Sequence, residues 1–340
     1  MSTKERPNGQ YQKEHALKRR DFLQLGIGGV AVAVASGRAG AQGSYPDRAI
    51  KLVVPRAAGG VVDIIAREWS GKVKGLGTVY IENMGGAGGV IGASSVARAP
   101  ADGYTLLLGT TSELVISPLL GKLPYDPVTS FEPIAIMCDS PAAIVVHPSV
   151  PVSNLKELVA YAKQHKNGLS YGSAGASTVS NLAGELFKAI ADLPDIVHVP
   201  YKGGAPAVSD AIAGQVPIST PMMSEQIWEF HKQGKLKVLA VASERRLRAI
   251  PDLPTAAEQG YPDLVARLAF GLFAPAKTPK EVITKVEQAT KVAMQDPELK
   301  KNFEAGGFET LDTIDAAAAA TYVVKEVERW KPILAQFKPQ

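Results

Sequence analysis

The sequence predicts a two-lobed α/β protein with largely parallel sheets. Three observations carry this expectation. Short β-type runs alternate with helical patterns from Tyr45 onward. Most of those runs end in a turn rich in Gly, Ser and Thr that leads into a helix. The roughly 300 residues that follow a leader-like segment suffice for two lobes of ordinary size, with neither an internal repeat nor a low-complexity linker.

The elements follow in order. Lys18, Arg19, Arg20, Asp21, Phe22 and Leu23 set an arginine pair directly ahead of an apolar, Gly-rich stretch from Leu25 to Ser36. Ala39 and Ala41 then flank Gly40. A basic start, an apolar middle and small residues at the end predict a cleavable twin-arginine signal peptide over 1–41, with the mature chain beginning near Gln42. The apolar part falls short of the ~20 residues a membrane span requires. Export places the protein in a bacterial periplasm, where ATP, NAD and coenzyme A are not maintained.

Ala49 to Pro55 reads as a strand running through Ala57-Ala58-Gly59-Gly60 into a helix with Val61, Ile64, Ile65 and Trp69 at helical spacing. Thr78 to Ile81 is a second strand, followed by Gly85-Gly86-Ala87-Gly88-Gly89 and a short helix to Ala99. Tyr104 to Leu108 is a third, followed by Gly109-Thr110-Thr111-Ser112. After an apolar segment at 133–146, Ser153 is read as the cap of a helix that stops before Gly168. Strands at 169–172, 196–199 and 236–242 continue the rhythm, the first two ending in Ser173-Ala174-Gly175-Ala176-Ser177 and Tyr201-Lys202-Gly203-Gly204. Thr255 and Glu258 have capping-box spacing, with Gly260 placed to stop that helix. The tail from Thr278 to Phe337 reads as mostly helical, with Pro279 and Pro297 in first turns and Pro332 as a late kink. Chain crossings near 143 and 247 divide it into one lobe of 44–143 with 248–340 and another of 144–247.

Composition narrows the function. The leader holds seven basic and three acidic residues, which accounts for the whole net charge of +4, so the mature chain is near neutral and offers no basic stripe for nucleic acid. The single Cys138 forbids an intramolecular disulfide and a thiolate metal cluster, and reads as a buried small hydrophobe. The five His residues are scattered without ligand spacing, so neither a metal nor a cofactor is expected. Gly86-Ala87-Gly88-Gly89-Val90-Ile91 fails a dinucleotide fingerprint because Ile91 stands where Gly is required. Gly172-Ser173-Ala174-Gly175 fails a nucleophile elbow because Tyr171 stands where Gly is required, and no His is evidently committed to Ser173.

Five strand-to-helix turns carry the positive signal. A helix N-terminus presents unpaired N–H groups and a positive dipole end, Gly admits a ligand close to the backbone, and Ser or Thr hydroxyls add donors. In open α/β sheets the ligand crevice lies at the carboxyl ends of strands, where all five turns fall. Two lobes facing each other with such turns would form a carboxylate-sized cleft. Arg56, at the end of the first strand, is a candidate carboxylate partner. Asp63 is a ligand group or a first-turn acid that steadies its own helix, and Lys202 an anion partner or a solvated surface charge.

The chain resembles the Bug-type extracytoplasmic solute receptors, the substrate-binding components of tripartite tricarboxylate transporters. The likeness covers essentially the whole mature chain. It rests on Ile50 to Pro55 with Gly59, Gly60 and Asp63, on Glu82-Asn83 with Gly86 to Gly89, and on Asp102 to Leu107. It continues through Tyr125-Asp126-Pro127, Tyr171 to Gly175, His198 to Gly203, Pro254-Thr255 with Glu258, and Ala274-Pro275-Ala276.

The resemblance implies a two-lobed periplasmic binding fold of the type II, Venus-flytrap kind, closing on a small organic acid without catalysis. It implies a membrane permease as partner and a monomeric receptor. Carried over residue by residue, Ala58, Gly59, Gly60 and Asp63 bind from one lobe together with Thr110, Thr111 and Ser112. Ser173, Gly175, Ser177, Lys202 and Gly203 bind from the other. Departures from the family pattern include Arg56-Ala57-Ala58 for an aromatic and prolines, Met84-Gly85 for Arg-Pro, and Asn181 for His. Ser219-Thr220-Pro221 replaces a Phe-Asp type segment, Ala269 a Trp and Lys277 a Gly. An added cation at Arg56 and a lost acid near Thr220 favour a dicarboxylate or an aromatic acid. The competing readings are a ligand sensor without a transporter, an enzyme on the same frame, and an adaptor with an empty cleft.

Overall fold

The computed structural model describes residues 45–165, 168–311 and 313–335, and the predicted leader lies outside them. The chain builds eleven described strands in order: β1 (Ile50–Val54), β2 (Val79–Asn83), β3 (Thr105–Thr110), β4 (Phe131–Pro141), β5 (Ala143–Val146), β6 (Ser170–Ser173), β7 (Val197–Pro200), β8 (Ile218–Ser219), β9 (Lys237–Val241), β10 (Arg267–Pro275) and β11 (Glu309–Thr310). They form a six-stranded sheet of order β11-β4-β10-β3-β1-β2 and a five-stranded sheet of order β7-β6-β8-β5-β9. Each sheet with its helices is one lobe, and the described residues of the two lobes from Pro46 onward make one compact unit.

The expectation of largely parallel sheets needs correction. β1 pairs parallel with β2 and β3, and β6 parallel with β7 and β8. β10 pairs antiparallel with β3 and β4, β11 with β4, and β5 with β8 and β9. The parallel pairs are those joined through a Gly-rich turn and a helix, as a parallel connection requires. The antiparallel pairs all involve β4, β5 or β10, which carry the chain between the sheets. The apolar segment at 133–146 is therefore two strands in two sheets, with Ala142 alone between them.

The two passages lie side by side. Ala142 N–H donates to the Ala266 carbonyl at 2.8 Å, Ala242 N–H to the Ala142 carbonyl at 2.7 Å, and Ala266 N–H to the Ala242 carbonyl at 3.0 Å. Ser140 Oγ adds a bond to the Met223 carbonyl at 2.7 Å.

Local chemistry explains most element ends. The first helix, Val61–Lys72, buries Val62, Ile65, Ala66 and Trp69 while Val61 and Ile64 sit half-exposed, so the inward stripe is shifted from the one the sequence suggested. The helix Leu155–Gln164 is capped by Asn154, not Ser153. Asn154 Oδ1 accepts from Glu157 N–H at 2.8 Å while Glu157 reaches back to Ser153 N–H at 2.7 Å. The Thr255–Glu258 capping box forms in both directions, at 2.8 and 3.1 Å, and Gly260 ends its short 3₁₀ turn in the left-handed conformation, φ 92°. Cys138 is fully buried in β4, and burial pushes its thiol well above the ordinary range.

In the second lobe the helix Val179–Ile190 packs against the fully sheltered ring of Tyr171 in β6. That ring stacks on His198 at 4.8 Å, and its hydroxyl donates to Glu185 at 2.6 Å and accepts from Asn181 Nδ2 at 2.7 Å. Gly184 lies flat against it: a Cβ there would stand 2.2 Å from Tyr171 Cε2. Gly184→Ala should therefore destabilise the protein by about 1–3 kcal/mol through overpacking, although Ala is the better helix former. The check is the urea midpoint, and an unmoved midpoint would mean the Tyr171 ring shifts freely.

Candidate functional site

The turns after the strands meet where the lobes face each other. Four helix N-termini converge on one cleft: Val61–Lys72 through Gly60, Val61 and Val62, Val179–Ile190 through Thr178 and Ser180, Gly204–Ile212 through Gly204 and Ala205, and Glu225–Lys232 through Ser224 and Gln226. Two are capped by side chains: Thr178 accepts from Asn181 N–H at 3.1 Å, and Ser224 from Ile227 N–H at 3.3 Å. The other two have Gly60 and Gly203 at the cap position and no side-chain cap bond. Those first-turn N–H groups are left for a ligand to satisfy. The two uncapped ends abut, since a Cβ on Gly60 would lie 3.6 Å from Ala205 N.

Beneath the cleft sits a buried ion pair. Arg56 Nη1 donates to the Pro55 carbonyl at 2.7 Å, and Nη2 donates to Glu113 Oε2 at 3.1 Å. Glu113 is fully buried and also accepts from the backbone N–H and the hydroxyl of Thr110, the latter at 2.7 Å. Burial raises the Glu113 carboxyl above its ordinary range, while Arg56 and Thr110 oppose that rise. Gly89, in the left-handed conformation with φ 98°, completes the arrangement. A Cβ there would fall 1.9 Å from Arg56 Nη1 and 2.8 Å from Glu113 Oε2.

Asp63 is a strut. Its carboxylate accepts from Gly59 N–H at 2.9 Å, from Arg67 Nε and Nη2 at 2.9 and 3.0 Å, and from Asn83 Nδ2 at 2.9 Å. Four donors occupy its two oxygens, so the group fixes the Gly59-Gly60 loop to its own helix and to β2. Burial raises its pKa, but the bonds from Arg67, Gly59 and Asn83 outweigh that and hold the carboxyl below the usual range.

The other residues singled out by sequence divide clearly. Arg56, Gly59, Gly60 and Ser112 line the cleft. Ala58 is exposed on the loop before it. Thr110 serves Glu113, and Thr111 Oγ1 accepts from Ala269 N–H at 3.0 Å. Ser173 is fully buried and does not line the cleft. Its hydroxyl lies 2.7 Å from His198 Nε2, so a His is committed to it after all, through the fold and not through sequence spacing. Gly175, Ser177 and Lys202 line a separate depression at the outer mouth of the lobes, with Lys202 exposed.

Gly203 is buried at a contact between the lobes: a Cβ there would stand 3.1 Å from Ala57 N. A Cβ on Gly88 would stand 2.6 Å from the Ala176 carbonyl. These glycines let backbone meet backbone, and the lobes are also joined by Val179 N–H to Ser112 Oγ at 3.2 Å and Ser117 Oγ to the Ser177 carbonyl at 3.3 Å. The lobes are thus in contact around the cleft.

Sequence reasoning missed the apolar wall, formed by Val62, Val208, Met222, Ile227 and Leu268. It also missed the sixth turn, between β8 and the Glu225–Lys232 helix, where Ser224 followed by an amphipathic run was the available signal.

Fold and cleft together define a two-lobed solute-binding protein. The chain belongs to the TctC family, the tripartite tricarboxylate transporter family receptors, whose profile matches residues 65–338. It is similar to the solved periplasmic binding protein BugD, with 35% identity and TM-score 0.82 over 86% of this chain and 98% of that one. It is also similar to MatC from Rhodopseudomonas palustris with bound malate, with 30% identity and TM-score 0.81 over 85% of this chain and 100% of that one. Rpa4515 from the same organism, with adipate, matches at 30% identity and TM-score 0.81 over 86% of this chain and 97% of that one.

Two outcomes follow from the site. Asp63→Asn should cost about 1.5–3 kcal/mol at neutral pH, as expected for charged hydrogen bonds. Because the folded carboxyl sits below its unfolded value, its stabilisation is full above about pH 4 and fades as pH falls through the folded value. The gap between wild type and Asp63→Asn in denaturation midpoints should accordingly close in acid. Arg56→Met leaves Glu113 buried without a countercharge and should cost about 3–5 kcal/mol. The double variant Arg56→Met/Glu113→Met should lose less than the single, as a double-mutant cycle on thermal unfolding would read.

Proposed function

We propose that this chain is a periplasmic receptor that captures a small organic carboxylate between its two lobes and delivers it to the membrane permease of a tripartite tricarboxylate-type transporter. The observation that supports this most directly is the pair of uncapped helix N-termini abutting in a cleft roofed by both lobes. A carboxylate satisfies those N–H groups and complements the dipole ends. The malate and adipate held by similar proteins of the same family point the same way.

In this reading the leader at 1–41 directs export by the twin-arginine route. Among the described residues no helix is long and apolar enough to cross a membrane. The protein acts as a monomer and releases its ligand unmodified. Opening turns on the two adjacent chain passages, between 144–247 on one side and 44–143 with 248–340 on the other. Ligand favours the closed arrangement only through contacts made with both lobes. The Asp63, Thr110, Thr111, Ser173 and Gly203 groups shape the turns; Gly175, Ser177 and Lys202 rim the outer mouth.

Thermal unfolding of ligand-stripped protein against a panel of mono-, di- and aromatic carboxylates tests the reading. The bound class should stabilise it by about 2.7 kcal/mol at a hundred-fold excess over Kd. No shift from any carboxylate would overturn the assignment.

A further inference from the structure

Resting on the receptor reading above, we propose that the ligand is a monocarboxylic acid with an apolar body, and that the wall of Val208, Met222, Ile227 and Leu268 selects it over di- and tricarboxylates.

The first ground is charge. Among the described residues, Arg56 is the only ionisable side chain lining the cleft. Its guanidinium is already matched by Glu113 at 3.1 Å and bound to the Pro55 carbonyl at 2.7 Å, so the added cation that the sequence suggested is cancelled inside the protein. A second carboxylate on the ligand would lose its water and meet no net positive charge.

The second ground is the state of the polar lining. Thr178 Oγ1 donates to the Gly175 carbonyl at 2.7 Å, and Ser180 Oγ donates to the Thr220 carbonyl at 2.7 Å while accepting from Ala174 N–H at 3.1 Å. Ser112 and Ser224 accept from backbone N–H groups and keep one hydroxyl hydrogen each to donate. The donors open to a carboxylate are thus the uncapped backbone ends at Gly60 and Gly203 and two neutral hydroxyls, none of which supplies the countercharge a second carboxylate needs.

The third ground is the opposite surface. Val208 is 6% exposed, Met222 6%, Ile227 3% and Leu268 4%, contributed by both lobes. An alkyl or aryl body buries its own apolar surface against them, whereas a terminal carboxylate there would lose its water without a partner. This sets the chain apart from its similar proteins with malate and adipate.

Isothermal titration of the protein, freed of retained ligand by unfolding and refolding, with hexanoate and with adipate isolates the difference, since the two acids share a six-carbon chain. Hexanoate should bind at least ten-fold more tightly. Gln226→Lys, at an exposed position on the rim of the same cleft, should narrow that ratio several-fold by giving the second carboxylate a cation, without touching the buried wall. Adipate binding as tightly as hexanoate or more so would overturn the monocarboxylate assignment and leave the receptor reading standing. Failure of both acids, together with the rest of the carboxylate panel, would overturn both.

Discussion

The buried pair of Arg56 and Glu113 ties the first lobe's turns together. Arg56 follows β1, Glu113 follows β3, and Gly89 in the turn after β2 must lack a side chain for the two to meet. Three strand-to-helix turns separated in sequence are thereby fixed against one another at the edge of the cleft. Isolated burial of either charge would be costly, so the arrangement tolerates the loss of neither partner alone. It also makes the floor of the cleft electrically neutral, which leaves backbone N–H groups as the principal attraction for an anion.

On that floor the second requirement is close approach. The lobes meet through backbone at Gly88 and Gly203, and through hydroxyl-to-backbone bonds at Ser112 and Ser117. Close packing of this kind is sensitive to single methyl groups. Glycines that looked like anion-binding turns therefore divide between two tasks: Gly59 and Gly60 face the cleft, while Gly88 and Gly203 allow the lobes to touch. Both tasks demand the same residue, and nothing local in the sequence distinguishes them.

The strand–turn–helix units were legible because each is a local pattern: β1 with Gly59-Gly60, β6 with Ser173 to Ser177, and the Thr255–Glu258 box all depend on residues within a few positions. The antiparallel half was not, because β4 and β5 read as one apolar run and only tertiary pairing separates them. Glu113 gave no signal, being a lone acid whose partner lies 57 residues away. Asp63 carries a first-turn position that suits either a ligand group or a strut, and the four donors on its carboxylate come from the fold, not from local sequence alone. Val208, Met222 and Ile227 look like core residues in sequence, and packing alone turns them toward the cleft.

Cys138 bears on how this protein can be watched at work. It is the chain's only cysteine, it lies wholly inside β4, and its thiol is held in the neutral form by burial. The thiolate is the nucleophile that attacks a thiol-directed dye, and it needs access to the dye, so Cys138 in the native fold is silent toward such reagents. A cysteine introduced at Lys122 or Lys202, which border the outer mouth from opposite lobes, would then carry a fluorophore at one defined place. The wild-type background thus comes ready for optical readout of lobe movement, with no prior removal of native sulfur.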